Sequence, residues 1–425
     1  MQRKQLAPGV FLTALDAEKF NRCRIAIHLR YPAVRQSATD AAVLSMVLER
    51  GYAGCPDMTQ LSRRLAALYG ADLGVDLMTA GGDRVLSADI CGIKQKFALA
   101  DEDLVASYAD IVFGTVFEPY LVGGSFDPEA VRIEKETLRR RLQSEYNDKR
   151  LYCVRQARRR FYGDSPAGIE LYGYLNDIDA VTPQSVKAEY DRILSQASID
   201  VIVQGADAEP VAQRLLAKLA SVRRAPAGVT ALSPVPAAPV RHYTEEIAGL
   251  TQAKLCMLFT RDKSGELPSI HVLRMAMGVF GGTATSRLFR NVREKKSLCY
   301  YCGSSALRAA GVMMVDSGVE TANIEKAESA ILKELSDLCA RPVDEEELEQ
   351  CRRTLLEGID SVGDSLAGLA GWYYGQIMRG EPLTAPEEGK AEMCAVTPRQ
   401  VQEILQSYSY SVCYALTGRG EEANA

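Results

Sequence analysis

The heptapeptide Ala180-Val-Thr-Pro-Gln-Ser-Val186 returns, with two exchanges, as Ala395-Val-Thr-Pro-Arg-Gln-Val401. Thr182 and Thr397 lie 215 positions apart, and each is followed by a proline. This arrangement is typical of a threonine N-cap with proline at the first helical position, where its missing N–H costs nothing. A repeat at this distance predicts that the chain contains two copies of one domain.

Two further landmarks recur at nearly the same spacing. Asp127 and Asp344 each open a polar helical pattern, and they are 217 positions apart. The apolar strand patterns that end at Gly205 and Gly418 are 213 positions apart. Because three landmarks agree within four positions, we conclude that the chain is duplicated.

A proline-rich stretch separates the two copies. The fifteen residues from 225 to 239 contain four prolines, a composition typical of an extended linker. We therefore predict a first domain over residues 1–222, a linker over residues 223–240 and a second domain over residues 241–425.

Both copies show the same order of element patterns. In the first, residues 23–29 alternate as a half-buried strand, an apolar helix follows over residues 39–50, and Gly81-Gly82 marks a hairpin between two strands. Residues 254–259 and 271–280 repeat the strand and the buried helix. Strands grouped with helices, without βαβ alternation, predict an α+β fold in which each domain is an antiparallel sheet covered on one face by helices.

Composition narrows the class of protein. The chain has 425 residues, 47% of them hydrophobic and 25% charged, as in ordinary globular proteins. Its net charge of -5 argues against nucleic acid or an anionic membrane as the main partner. No apolar stretch reaches the ~18 residues of a membrane span, and the N-terminal residues do not resemble a signal peptide. We therefore expect a cytoplasmic protein whose eleven cysteines act mostly as small buried residues.

The stretch from Gly281 to Gly303 is the most informative for function. It contains Gly-Gly, then Ser-Arg-Leu-Phe, then Val-Arg-Glu-Lys-x-x-Leu-x-Tyr. This pattern resembles the second domain of the insulinase/pitrilysin family of inverted-zincin metallopeptidases, which includes mitochondrial processing peptidase. The duplication, the linker and the strand order fit the same family. The matching residues are Gly281, Gly282, Ser286, Arg287, Leu288, Phe289, Arg293, Glu294, Lys295, Leu298 and Tyr300.

The resemblance implies that Arg293 and Tyr300 contact substrate. A phenol O–H can stabilise the oxyanion that develops on a scissile carbonyl, and an arginine can hold the peptide. The alternative is that Tyr300 packs its ring and Arg293 is a surface charge. The other positions expected to line the substrate site are Gly281, Gly282, Ser286, Arg287 and Phe289.

The metal half of the family pattern is missing. Members carry H-x-x-E-H on the buried helix of the first domain and a further glutamate on a later helix. With Gly51 placed on the family's glycine, the two histidines become Ala42 and Met46, and the catalytic glutamate becomes Ser45. The distal glutamate becomes Arg141. None of these side chains can play the family's role, so no metal or other cofactor is expected in this chain.

No other metal-binding or redox motif in the sequence replaces the missing H-x-x-E-H pattern. The three histidines, His28, His242 and His271, do not lie at ligand spacing from one another. Cys299 and Cys302 form a C-x-x-C, but in a predicted strand this spacing points the two thiols to opposite faces.

These observations favour a catalytically silent subunit, not active alone. It would pair as a heterodimer with a homologous subunit that holds zinc, and would complete that partner's site for a peptide or unfolded protein. The length resembles short bacterial members associated with peptide maturation and with modification of elongation factor P. One alternative is a peptide-binding scaffold without a catalytic partner, as in the family's respiratory-complex core subunits. The other is a thiol enzyme using Cys299 and Cys302.

Overall fold

The computed structural model describes residues 1–230, 232, 235–261 and 267–419. Its contacts group the chain into two units. The first unit contains Met1–Gln143 and Ile169–Ala231, and the second contains Ser144–Gly168 and Leu232–Ala425.

The elements up to the linker are, in chain order, β1 (Gln2–Ala7), β2 (Val10–Leu15), β3 (Arg22–Pro32), α1 (Ala38–Glu49), α2 (Met58–Ala67), β4 (Asp72–Ala80), β5 (Asp83–Ile93), α3 (Leu104–Phe117), β6 (Leu121–Val122), β7 (Ser125–Phe126), α4 (Pro128–Glu145), α5 (Lys149–Tyr162), α6 (Pro183–Gln196), β8 (Ser198–Gln204) and α7 (Ala208–Leu219). The elements after it are β9 (Arg241–Ile247), β10 (Ala253–Thr260), α8 (Ile270–Met277), β11 (Cys299–Leu307), β12 (Val312–Val319), α9 (Ile324–Ala340), α10 (Glu345–Asp360), α11 (Leu366–Arg379), α12 (Pro386–Cys394), α13 (Pro398–Gln406) and β13 (Ser409–Gly418). The described part of the predicted linker, residues 223–240, contains no helix or strand.

The two large sheets, one in each unit, share one topology. The first has the strand order β1-β2-β8-β3-β5-β4, and the second has the order β9-β13-β10-β12-β11. Neighbouring strands are antiparallel except for the corresponding pairs β2–β8 and β13–β9, which are parallel. Apart from the additional edge strand β1, the second sheet therefore repeats the first strand by strand. The predicted α+β fold and the duplication are confirmed.

The local signals behind the repeat are also confirmed. Thr182 and Thr397 cap α6 and α13, and each accepts a hydrogen bond from the third helical backbone N–H, at 3.1 and 3.4 Å. In each case the residue at that third position, Ser185 or Gln400, bonds back to the threonine N–H. These reciprocal bonds make two capping boxes, which fix where each helix begins before the last strand of its sheet.

One helix packs differently from the sequence-based assignment. Residues 1–222 were predicted to form the first domain, whereas contacts group α5 with the second unit. Cys153, Ala157 and Phe161 of α5 pack in one cluster with Cys256 and Leu258 of β10. The alternate residues of β10 face the other helices of this unit. The second sheet thus carries helices on both faces, where one covered face was predicted.

The described residues include no helix long and apolar enough to cross a membrane. The eleven cysteines are free of disulfides, and most of them are buried, as expected from the sequence.

Candidate functional site

The Gly-Gly part of the motif brings a helical turn against a strand. Residues Gly278–Gly282 form a π-helical turn at the end of α8. A Cβ on Gly281 would lie 2.7 Å from the backbone nitrogen of Ser304 in β11, closer than real Cβ atoms approach backbone. Gly281 was predicted to line the substrate site. The structure shows that a glycine is required there because the helical turn packs closely against β11. Ser286 is buried, and Gly282 is exposed.

The arginine of the Ser-Arg-Leu-Phe motif is held by a buried carboxylate. Arg287 makes two bonds to Glu347 of α10, from Nε to Oε1 at 2.6 Å and from Nη2 to Oε2 at 2.6 Å. Arg290 donates to the same Oε1 at 2.5 Å. The hydrogen bond that Arg287 donates to the Glu347 carboxylate raises the pKa of Arg287. Arg287 thus anchors the π-helical segment Leu288–Lys295 to α10 instead of offering its guanidinium to solvent.

Arg293 lies within this anchored segment and Tyr300 follows it, and both side chains reach solvent. The Arg293 guanidinium lies 4.6 Å from the ring centroid of Phe289, and its Nε lies 3.6 Å from Glu294. Tyr300 is 56% exposed, and its hydroxyl lies 3.5 Å from Oε1 of Glu320. Both groups are therefore available to a ligand.

A β-bulge explains why Tyr300 is exposed. In the ladder with β12, Cys299 pairs with Val319 and Tyr301 pairs with Gly318, so Tyr300 is an extra residue without a partner. Bulges of this kind re-aim a side chain and are frequent beside active sites. Tyr301 is directed elsewhere, with the Arg150 guanidinium 4.5 Å from its ring centroid.

The same bulge overturns the prediction for the C-x-x-C pair. Cys299 and Cys302 are both buried in the helix-covered core, at 8% and 7% exposure, so the two thiols share one face. The extra residue shifts the alternation by one position, which the regular strand pattern did not include. A hydrogen bond from Cys302 lowers the pKa of Cys299 to about 7 and raises the pKa of Cys302 well above its usual value.

In the first unit, a cavity of about 600 Å³ lies where the family pattern places zinc. Ser45, Met46 and Arg141 line it together, whereas Ala42 is fully buried. The Ser45 hydroxyl donates to the carbonyl oxygen of Ala42 at 2.9 Å. The Arg141 guanidinium stacks on Tyr172 at 3.4 Å from the ring centroid. The structure thus brings three of the four predicted positions together around one cavity.

These side chains do not fit a zinc ion. Zinc sites in proteins use cysteine, histidine, aspartate or glutamate, and Ser45, Met46 and Arg141 are none of these. The Arg141 cation would repel a metal ion, and Glu134, which also lines the cavity, pairs with Arg50 at 2.7 Å. Burial, and then the charge of Asp76, raises the pKa of Glu49 at the cavity wall.

Elsewhere in the described residues, three potential metal ligands converge from distant parts of the second unit. Atoms of His242, Glu328 and Cys413 lie within 4.8 Å of one another. Glu328 Oε1 accepts hydrogen bonds from His242 Nε2 at 2.8 Å and from the Tyr410 hydroxyl at 2.7 Å. Sequence spacing missed this group because its members come from β9, α9 and β13. The donors already satisfy the carboxylate, so the contacts are explained as a hydrogen-bond network.

The chain is similar in sequence to known proteins. Residues 180–355 match the family described as "Peptidase M16 inactive domain". The chain is 25% identical over 410 residues to "Probable inactive metalloprotease YmfF" of Bacillus subtilis (strain 168), with 96% of each chain covered.

Solved structures show the same fold over nearly the whole chain. A conserved protein from Enterococcus faecalis V583 has a TM-score of 0.89 and 25% identity, with 99% of both chains covered. A peptidase M16 inactive domain from Pseudomonas fluorescens has a TM-score of 0.79 and 16% identity, with 99% of this chain and 98% of that chain covered. A protease from Helicobacter pylori has a TM-score of 0.77 and 12% identity, with 98% of this chain and 99% of that chain covered.

Proposed function

Because the chain is an inactive homologue of the M16, or insulinase/pitrilysin, peptidases, we propose that it is the non-catalytic subunit of a two-subunit peptidase. A homologous partner with an intact H-x-x-E-H would hold the zinc. This chain would contribute Arg293 and Tyr300 to the site that cleaves a peptide or an unfolded protein. The observation that carries the proposal is the exposed Tyr300 on its bulge, retained in a chain whose own metal positions hold Ala42, Ser45, Met46 and Arg141.

The geometry around Tyr300 supports a role in binding rather than in packing. A tyrosine that stabilised the fold would bury its ring, and 56% of Tyr300 is exposed. The bulge also interrupts the ladder at this residue, a disruption that serves to place a side chain. Arg287 and Glu347 hold the preceding segment in position, as a preorganised site requires.

The two side chains would act at different stages. Tyr300 would donate its phenolic hydrogen to the carbonyl oxygen as negative charge develops there. The Glu320 carboxylate, 3.5 Å from the phenol oxygen, would compete for this hydrogen before substrate binds. Arg293 would hold a backbone carbonyl or an acidic side chain of the substrate, and so would act on the bound ground state as well.

Mixing the subunits tests the proposal. The purified chain alone should not cleave a set of fluorogenic peptides, whereas the chain together with a zinc-bearing homologue from the same organism should form a complex and cleave them. Size-exclusion chromatography and cleavage rates measure the two properties. A stable complex whose activity equals that of the zinc-bearing subunit alone would make this chain a scaffold. Failure to form any complex would contradict the proposal.

Metal analysis gives a second prediction. After dialysis against a chelator and then zinc, the first unit should hold no zinc, because its cavity presents Ser45, Met46 and Arg141. Replacing the four positions together (A42H, S45E, M46H, R141E) should allow about one zinc ion to bind, as in the family pattern. Elemental analysis of both proteins is the measurement, with His242→Ala as a control for metal held at the surface network. The prediction is contradicted if the unaltered chain binds zinc and the His242→Ala variant binds the same amount.

A further inference from the structure

A separate cavity of about 270 Å³ opens in the second unit beside the first turn of α8. Arg274 of α8 lines it, as do Trp372 and Arg379 of α11. Arg308, which directly follows β11, lines it too, so the cavity lies at the opposite end of that strand from Tyr300. Nine residues of strand span ~25–30 Å, which separates this cavity from the proposed peptide site.

The cavity wall contains more cationic than anionic groups. Arg308 and Arg379 share one carboxylate, with Nη1 of Arg308 2.5 Å from Oε1 of Glu381 and Nε of Arg379 2.6 Å from Oε2. Arg274 makes no ion pair within the described residues, and its guanidinium lies 5.7 Å from the ring centroid of Trp372. Burial lowers the pKa of Arg274, and the neighbouring charge of Arg379 lowers it further. A half-buried cation in this position favours an anion beside it.

A second polar group in the wall, His271, has one ring nitrogen without a hydrogen-bond partner among the described residues. His271 is 4% exposed, and its Nδ1 is buried without a hydrogen bond to any of the described residues. Its Nε2 lies 3.5 Å from Oε2 of Glu392, a solvent-exposed side chain. Burial lowers the pKa of His271, which favours the neutral ring. Two neighbouring groups thus have unused capacity for a polar ligand.

The aromatic part of the cavity wall is held in place by hydrogen bonds and packing. The Trp372 indole N–H donates to the carbonyl oxygen of Thr384 at 2.8 Å. Gln376 donates to the same oxygen at 3.0 Å and accepts from the Thr384 N–H at 2.7 Å. A Cβ on Gly389 would lie 2.6 Å from the Trp372 ring, so helix α12 packs directly against it. These contacts keep the indole at the cavity edge, where it offers an apolar surface.

We propose that this cavity binds a small monocarboxylate, with Arg274 pairing the carboxylate and Trp372 covering the apolar part of the ligand. A planar guanidinium matches a carboxylate by two parallel hydrogen bonds. A single charge is favoured because, among the described arginines that line the cavity, only Arg274 lacks a carboxylate partner, while Glu381 and Glu392 would repel a dianion such as phosphate. The volume lies just below the ~300–1,000 Å³ of most ligand sites, so the ligand is small. Both a free carboxylic acid and the C-terminal residue of a peptide carry this chemistry.

Trp372 is the single tryptophan of the chain, so its fluorescence reports on this cavity alone. The full chain is titrated with benzoate, with N-acetyl-Gly-Phe, with the amide of that dipeptide and with inorganic phosphate. We expect a saturable change with benzoate, and at least about tenfold weaker binding of the amide than of the acid, the loss expected for one charge-assisted hydrogen bond. A response to benzoate alone would identify a free acid as the ligand, and a response to the dipeptide acid as well would identify a peptide C-terminus.

Arg274→Gln should abolish the response without loss of stability, because it removes a half-buried cation that makes no ion pair with any of the described residues. The matched control is Arg353→Gln, an exposed arginine whose removal should leave binding unchanged. Thermal unfolding of each variant checks its fold, and Arg274→Lys, which keeps the charge but not the planar fork, should bind with intermediate affinity. The proposal is overturned by an absent response, by equal binding of acid and amide, or by tighter binding of phosphate. A response that survives Arg274→Gln also overturns it. None of these outcomes depends on a peptidase partner.

Discussion

Tyr300→Phe should lower the turnover of the assembled pair by about 10- to 100-fold, while the folding of the chain and its binding to the partner stay unchanged. Loss of one oxyanion donor typically costs ~10²–10³ in rate, and a smaller loss is expected here because the partner's metal also polarises the carbonyl. Folding should not change because the Tyr300 side chain is mostly exposed and lies outside the regular ladder. Steady-state peptide cleavage at equal complex concentration is the measurement.

Neighbouring residues provide controls for this result. Tyr301→Phe removes a hydroxyl from the adjacent tyrosine, whose ring packs against the Arg150 guanidinium, and should leave turnover unchanged. Arg293→Ala should raise KM more than Tyr300→Phe does, because an arginine that holds the substrate acts before the transition state. Unchanged kinetics in both Tyr300→Phe and Arg293→Ala would leave the scaffold as the better account of this chain.

Glu347→Ala should lower the free energy of unfolding by about 2–3 kcal/mol and should also reduce the activity of the pair. Breaking a fully buried ion pair costs ~3–5 kcal/mol, and the smaller value reflects the 24% and 41% exposure of Arg287 and Arg290. Activity should fall because Glu347 anchors the segment that carries Arg293. Urea unfolding and peptide cleavage measure the two effects.

A second glutamate of the same helix gives a matched control. Glu349 of α10 also binds two arginines, Arg352 and Arg353, but at the surface. Glu349→Ala should leave both stability and activity close to those of the unaltered chain, since exposed ion pairs contribute little. Equal effects of Glu347→Ala and Glu349→Ala would contradict the anchoring role of Glu347.

Local patterns in the sequence were sufficient for much of the fold. Hydrogen bonds between near neighbours decide where a helix begins, so the threonine N-caps at Thr182 and Thr397 were readable from a few residues. The Gly81-Gly82 hairpin and strand β3 also follow from short-range propensity and alternation, although β3 is more fully buried than the predicted half-buried strand. Since the same signals occur twice in the same order, the duplication and the fold class followed from the sequence alone.

The candidate site was predictable only in part. The motif residues and the missing metal ligands depend on residue identity at fixed spacing, and Ser45, Met46 and Arg141 do lie around one cavity. The bulge at Tyr300 was not predicted, because a bulge is a property of the pairing between β11 and β12. It decided both the exposure of Tyr300 and the common face of Cys299 and Cys302.

Contacts between elements that are distant in the chain were decided by tertiary structure. The stripe of Cys153, Ala157 and Phe161 marks the buried side of α5, but periodicity does not say which sheet it covers. Likewise, nothing near Arg287 in the sequence indicates that Glu347, sixty residues away, neutralises it. Arg274, Arg308 and Trp372 meet only because α8, α11 and the end of β11 pack together. Periodicity reports which side of an element is buried, whereas the packing of elements determines which side chains meet and which charges are left without a partner.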